Sequence, residues 1–175
     1  TPTYFAGKFY IDNWRWANVP FYVRVGKRLA KRTTYIAITF KKPPLKLLGR
    51  ACDLMHDNTL VFGIQPHEYI SLKLNVKNPD EGSHLQPVKM MFDYNEAFQV
   101  KTREAYERLL LDCVKGDQSL FARQDGIETM CAIVDPIIKA VESGQLKLSL
   151  YPAGSWGPKT SDELLAKNYD EWIGV

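Results

Sequence analysis

Cysteine is scarce in this sequence, and long hydrophobic runs are missing. The 175 residues include three cysteines, with no C-x-x-C pair and no N-x-[ST] sequon: Cys52, Cys113 and Cys131. Because the cysteines are few and their number is odd, they do not indicate a disulfide framework. They favour a reducing, cytoplasmic setting. No stretch approaches the roughly eighteen consecutive apolar residues of a transmembrane helix, so no membrane partner is expected.

Complete catalytic motifs are also missing. The sequence has neither a G-x-G-x-x-G dinucleotide fingerprint nor a G-x-S-x-G nucleophile elbow. Its three histidines, His56, His67 and His84, fall on predicted loops, and no two of them have the i, i+4 spacing of a metal site. We therefore expect no catalytic, cofactor-binding or metal-binding residue in this chain.

Acidic residues are almost absent from the first fifty positions. Residues 1–50 hold eleven Lys and Arg and one acid, Asp12, whereas residues 51–175 hold twelve Lys and Arg against nineteen Asp and Glu. The densest basic window runs from Arg24 to Arg32. This asymmetry predicts that the first third faces an anion or packs against an acidic surface.

Period-two patterning predicts six strands in the first half of the chain. Each strand alternates apolar with polar residues, which is typical of antiparallel pairing. Turn residues such as Gln65-Pro66 separate the strands, which are expected over 4–11, 19–25, 33–40, 59–65, 69–77 and 88–93.

Helical periodicity replaces the strand pattern after residue 100. We expect helices over 104–115, 126–143 and 161–167, with Gly116 and Gly144 as stops and with Pro136 kinking or splitting the second helix. Strands followed by helices predict an α+β fold, a large mainly antiparallel sheet with helices packed on one face. No linker or repeat divides the chain, so residues 1–175 are expected to form one domain.

The basic window has two interpretations from the residues alone. It begins in a strand that ends at Gly26 and continues into a connection, where loops on a rigid sheet display binding groups. Lys27 and Arg32 would suit phosphate or sugar oxygens, and Gly26 would let the backbone approach a ligand. The alternatives are a solvated basic loop and, since tryptophans at 14 and 16 flank Arg15, a nucleic-acid-binding module.

Seven stretches are distinctive when they are taken together and in order along nearly the whole chain. They are YIDNWRW (10–16), VPFYVRVGKRL (19–29), IQP (64–66), EAYERLLLD (104–112), GDQSLF (116–121), YPAGSWGP (151–158) and DELL (162–165). Together they resemble the C-terminal domain of glucose-6-phosphate dehydrogenase. The resemblance implies an enzyme of the oxidative pentose phosphate pathway that oxidises glucose 6-phosphate to 6-phosphogluconolactone with NADP. It also implies that the Rossmann cofactor domain and the catalytic histidine lie outside residues 1–175, so the chain alone is expected to be inactive.

The resemblance also assigns residues and partners. Lys27, Arg32 and Gln65 fall on substrate-binding positions of the family. Arg24 matches a position at which some animal members hold a second, structural NADP, but Ala37, Gly63 and other residues stand where those members have basic ones. Expected partners are glucose 6-phosphate, the protein's own Rossmann domain and further copies in a homodimer or tetramer, associating through a sheet face that carries Tyr22, Tyr35, Ala37, Thr39, Val61 and Met91. A stand-alone interaction domain without enzyme activity is a third alternative.

Overall fold

The structure, a computed structural model, describes residues 2–44, 55–80, 84–99, 105–166 and 172–173. It divides into two compact units. One comprises Thr1–Val100 together with Ala153–Val175, and the other comprises Lys101–Pro152. The described part contains no helix long and apolar enough to cross a membrane.

Six antiparallel strands form among the described residues of the first unit, as the alternation predicts. They are β1 (Tyr4–Phe9), β2 (Phe21–Gly26), β3 (Thr34–Thr39), β4 (Thr59–Gln65), β5 (Tyr69–Lys77) and β6 (Leu85–Asp93). The bounds of β4 and β5 are those expected from the sequence, because turn-forming residues bracket both strands. The α+β class is confirmed.

The strands form two sheets rather than the one large sheet expected. β1 pairs with β2, and β3 to β6 form a four-stranded sheet in sequence order. The physical reason lies in the connection between β2 and β3. Its backbone bonds elsewhere, since the Ala30 N–H donates to the Ser155 carbonyl at 3.1 Å and the Arg28 carbonyl accepts from the Gly154 N–H at 2.8 Å.

Strand register places the alternating apolar residues in rows on one face of the four-stranded sheet. One row is Ile36, Phe62, Ile70 and Phe92, and the next is Ile38, Leu60, Leu72 and Met90. The outer members of both rows are exposed, whereas Val61 and Ser71, paired on the opposite face, are buried. The alternation therefore identified which side chains share the apolar face of the sheet.

Four helices are present among the described residues: α1 (Tyr94–Phe98), α2 (Ala105–Lys115), α3 (Gln124–Glu142) and α4 (Lys159–Ala166). Pro136 lies inside α3 without splitting it. Gly116 and Gly144 follow α2 and α3 with φ of 72° and 73°, the left-handed conformation that ends helices. Helices α2 and α3, with their apolar stripes, belong to the second unit.

The short helix α1 was not expected from the sequence. Its N-cap is Asp93, whose carboxylate accepts hydrogen bonds from the backbone N–H groups of Asn95 at 2.8 Å and Glu96 at 3.2 Å. An Asp followed three residues later by Glu is a helix-start signal that the alternation of β6 obscured.

Candidate functional site

The strand β2 delivers Lys27 to the start of a basic loop, which we define as residues 27–33. The Lys27 N–H donates to the Thr3 carbonyl at 2.8 Å. This bond extends the β1–β2 ladder, in which Tyr4 pairs with Gly26, by one step. Lys27 is exposed, so its backbone is fixed while its side chain is displayed at the strand end.

The structure shows a packing reason for a glycine at position 26. A Cβ there would lie 2.8 Å from the Tyr4 ring and 2.9 Å from a Leu29 methyl group. The space on the Cβ side of Gly26 is therefore filled by the protein's own side chains, and close approach of a ligand to this backbone stays a prediction. The glycine lets Leu29 fold back over the strand end and shape the basic loop.

Arg32 and Gln65 are brought to the same end of the four-stranded sheet. Gln65, the last residue of β4, pairs with Thr34, the first residue of β3, and Arg32 lies two positions before Thr34. Two residues span at most about 7 Å and paired Cα atoms lie about 4.5–5.5 Å apart, so the Arg32 and Gln65 Cα atoms lie within about 13 Å. Both residues are exposed, and the Gln65-Pro66 bond is cis.

Lys27 and Arg32 occupy the two ends of the basic loop. Five residues of chain allow at most about 18 Å between their Cα atoms. Arg28, beside Lys27, has a φ of 50°, which turns the chain away from the β2 direction. Arg32 forms no ion pair with any residue in the described ranges. The arrangement is suited to binding an anionic, hydroxyl-rich ligand through positioned cations and an amide.

The segment 153–157, which the sequence predicts only as a loop, is the part of this region that sequence reasoning missed. It bonds to the basic loop through Gly154 and Ser155. Its Trp156 ring centroid lies 4.9 Å from the Arg24 guanidinium, and the Trp172 centroid lies 4.3 Å from the same group. The two glycines in GSWG were the available signal, since Gly154 and Gly157 have positive φ.

The three histidines lie apart in sequence from the basic loop. They lie on loops, as expected, and all are exposed. The described ranges contain no group of three His, Cys, Asp or Glu side chains able to hold a metal ion. Arg24 lies against the rings of Trp156 and Trp172.

The amino-acid sequence matches a known family over nearly its whole length. The family model described as glucose-6-phosphate dehydrogenase, C-terminal domain, matches residues 1–173. A glucose-6-phosphate 1-dehydrogenase of Treponema pallidum is 43% identical over 175 residues, covering 98% of this chain and 34% of the relative. That of Bacillus subtilis is 41% identical and covers 100% of this chain and 36% of the relative.

Solved structures agree with the sequence matches. A glucose-6-phosphate 1-dehydrogenase from Mycobacterium avium superposes with a TM-score of 0.84 at 30% identity, covering 99% of this chain and 35% of that one. A glucose-6-phosphate dehydrogenase in complex with its substrate glucose 6-phosphate gives a TM-score of 0.86 at 31% identity, over 98% and 35%. These matches do not support the nucleic-acid-binding alternative.

The chain spans about a third of the length of the relatives it matches. The match runs over residues 1–173 and includes Lys27, which follows β2, and Gln65, which ends β4. The chain therefore belongs to the glucose-6-phosphate dehydrogenase C-terminal domain family.

Proposed function

We propose that residues 1–175 form the substrate-binding and oligomerisation domain of an enzyme that oxidises glucose 6-phosphate to 6-phosphogluconolactone with NADP, in the cytoplasm. The observation that carries the proposal is the convergence of Arg32 and Gln65 at one sheet end, with Lys27 at the other end of the same loop. Similarity to a structure that holds glucose 6-phosphate supports the choice of ligand.

The three side chains would divide the ligand between them. Lys27 is a compact cation and Arg32 a planar fork, both suited to phosphate oxygens, whereas the Gln65 amide both donates to and accepts from sugar hydroxyls. Their contribution is to hold the reacting carbon in a fixed orientation, which lowers the entropic part of the barrier. No proton transfer is assigned to them.

NADP, when bound, would accept hydride from the sugar. We assign its binding, and the general base, to the two-thirds of the relatives' length that lies outside the match. The residues of this chain orient the substrate and neutralise its charge. Because NADP binding and the general base are assigned elsewhere, the isolated domain should be inactive and the full-length enzyme should be active.

The exposed apolar rows support association through their own face of the four-stranded sheet, instead of the opposite face expected from the sequence, on which Val61 is buried. Tyr22, which was expected on that opposite face, lies in the two-stranded sheet. Ile36 is 55% exposed and Met90 is 53% exposed, although both belong to continuous apolar rows. A contiguous apolar surface of this kind is typical of an interaction site. We propose that the protein's own Rossmann domain and further copies, in a homodimer or tetramer, are the partners.

The direct test of this function is the initial rate of NADPH formation by the full-length protein that carries this chain. Glucose 6-phosphate should support turnover, and glucose, which lacks the phosphate, should support far less at equal concentration. Purified residues 1–175 should show no turnover. Equal rates with glucose, or no rate with glucose 6-phosphate, would contradict the proposed substrate.

A further inference from the structure

Two hydrogen bonds tie the basic loop (27–33) to a segment more than a hundred residues away, which we call the bridging segment (153–157). The Gly154 N–H donates to the Arg28 carbonyl at 2.8 Å, and the Ala30 N–H donates to the Ser155 carbonyl at 3.1 Å. In one bond the bridging segment donates to the loop, and in the other the loop donates to the bridging segment. The loop residues, Arg28 and Ala30, are two positions apart, whereas Gly154 and Ser155 are adjacent. Such a pair restrains the loop backbone much as one step of an antiparallel ladder does.

The bridging segment is itself held against the two-stranded sheet. The Trp156 ring lies 4.9 Å from the Arg24 guanidinium, which projects from β2. Gly157, with a φ of 113°, lies so close to the Tyr4 ring of β1 that a Cβ there would overlap the ring. The segment therefore connects a rigid sheet to the loop that carries the cations.

We propose that Gly154 is a positioning residue for the sugar phosphate: through its bond to Arg28 it holds the basic loop in the conformation that presents Lys27 and Arg32 together. This inference rests on the proposed function. Without the bond, the loop would sample other conformations, and binding would require their loss. Apparent affinity falls in proportion to the fraction of protein in the binding conformation.

Gly154 can be perturbed through its backbone alone. Its φ is 84°, and a Cβ built on it would meet nothing within 4 Å. A substitution therefore strains the conformation without a steric clash, and the strain depends on residue type. Asn tolerates positive φ, whereas a β-branched Val of similar size does not.

Gly144 provides a matched control. It also has a positive φ, 73°, and open space around its Cβ position, but it ends helix α3 in the other compact unit. Val at either position imposes the same kind of backbone strain. Only the change at position 154 should reach the basic loop.

The experiment compares steady-state kinetics of full-length Gly154→Val, Gly154→Asn and Gly144→Val proteins, with Lys27→Ala as a reference. Gly154→Val should raise the KM for glucose 6-phosphate about tenfold, because loop rearrangement that relieves the positive-φ strain lowers the fraction of protein in the binding conformation. The kcat of Gly154→Val and its KM for NADP should stay within about twofold of the parent values. Gly154→Asn should have a KM for glucose 6-phosphate close to that of the parent, because Asn tolerates positive φ. Gly144→Val should resemble the parent in all three constants. If Gly154→Val does not fold, Gly154→Ala takes its place.

The outcomes separate this inference from the proposed function. If Lys27→Ala leaves the KM for glucose 6-phosphate unchanged, the substrate role of the loop fails and the positioning role fails with it. If Lys27→Ala raises that KM but Gly154→Val does not, the positioning role alone is overturned. If Gly154→Val raises the KM for glucose 6-phosphate and the KM for NADP equally, or if Gly144→Val shows the same rise, the effect is general destabilisation. Either result would also overturn the positioning role.

Discussion

The Arg24 guanidinium lies 4.3 Å from the centroid of the Trp172 ring. The Trp172 indole N–H donates to the Ser161 carbonyl at 3.3 Å, and Ser161 is buried. Because Arg24 also lies against Trp156, one side chain of β2 contacts aromatic rings from two separate parts of the chain. This cluster fastens residues near the C-terminus to the two-stranded sheet.

Replacing Trp172 should therefore destabilise the protein. Trp172→Leu removes one cation–π contact and one hydrogen bond, and should lower the free energy of unfolding by about 1–3 kcal/mol. Trp14, which is fully exposed, supplies the control, since Trp14→Leu should have little effect. Urea unfolding of both variants checks this, and equal losses would contradict the role of the cluster.

Two tyrosines beside Gly63 should respond in opposite ways to loss of the hydroxyl. Tyr35 and Tyr69 both pair with Gly63 across β4, but the Tyr35 hydroxyl donates to the Ile173 carbonyl at 2.6 Å. The Tyr69 hydroxyl is buried without a hydrogen-bond partner among the described residues. Burial accordingly raises the pKa of Tyr69.

We therefore expect Tyr35→Phe to lower the free energy of unfolding by about 0.5–1.5 kcal/mol. Tyr69→Phe should be neutral or stabilising, because it removes a buried polar group that forms no bond. Thermal unfolding of the two variants provides the comparison. A loss in Tyr69→Phe as large as that in Tyr35→Phe would show that the Tyr69 hydroxyl has a partner.

Asp117 should give a local pH dependence in the second unit. Its carboxylate accepts hydrogen bonds from the Ser119 hydroxyl at 2.7 Å and the Ser119 N–H at 3.0 Å, which hold the pKa of Asp117 below its ordinary value. A lowered folded-state pKa contributes stability above the unfolded-state pKa, and that stability is lost as the pH falls through the folded-state pKa.

Ser119→Ala should raise the Asp117 pKa toward its ordinary value, because the hydroxyl bond is the largest cause of the shift. Carbon-detected NMR titration of the Asp117 carboxyl measures this directly. Ser143→Ala is the control, since the Ser143 hydroxyl donates to the Ala140 carbonyl instead. An unchanged Asp117 pKa in Ser119→Ala would contradict the assigned cause.

The apolar rows of the four-stranded sheet should mediate association. Ile38 is 42% exposed at the outer strand β3, so Ile38→Glu should reduce self-association of the full-length protein. Thr39→Glu, at the neighbouring exposed position, tests the opposite face, through which the sequence predicts association. Dissociation in Thr39→Glu alone would place the interface on that face instead. Sedimentation velocity at tens of micromolar should show a dimer or tetramer that dissociates in Ile38→Glu. A monomeric parent protein would contradict the proposed assembly.

Local sequence signals predicted the strands well because strand ends here coincide with turn residues. β4 ends at Gln65-Pro66 and β5 begins at Tyr69, and alternation placed both without tertiary information. The same signals identified the strand-end positions of Lys27, Arg32 and Gln65, whose substrate role stays a prediction. The α1 helix was not predicted because it follows β6 directly, and Asp93 is both the last residue of the strand and the N-cap of the helix.

Long-range backbone bonds account for what the sequence could not predict. Hydrogen bonds such as that between Gly154 and Arg28 use main-chain atoms, which every non-proline residue carries, so they leave little trace in residue type. These bonds lie in the connection between β2 and β3, which belong to different sheets. Alternation likewise shows which sheet face is apolar, but not what covers it.

The most direct test of the central claim is the KM for glucose 6-phosphate in full-length Lys27→Ala and Arg32→Ala proteins. Each should raise this KM about ten- to a hundredfold, the loss of a charge-assisted hydrogen bond worth about 1.5–3 kcal/mol, while the KM for NADP stays near that of the parent. Lys77 is exposed at the end of β5 far from Gln65. Lys77→Ala should therefore leave the KM for glucose 6-phosphate and the KM for NADP unchanged. Unchanged KM values for glucose 6-phosphate in Lys27→Ala and Arg32→Ala would contradict a substrate-binding loop and leave a solvated basic loop.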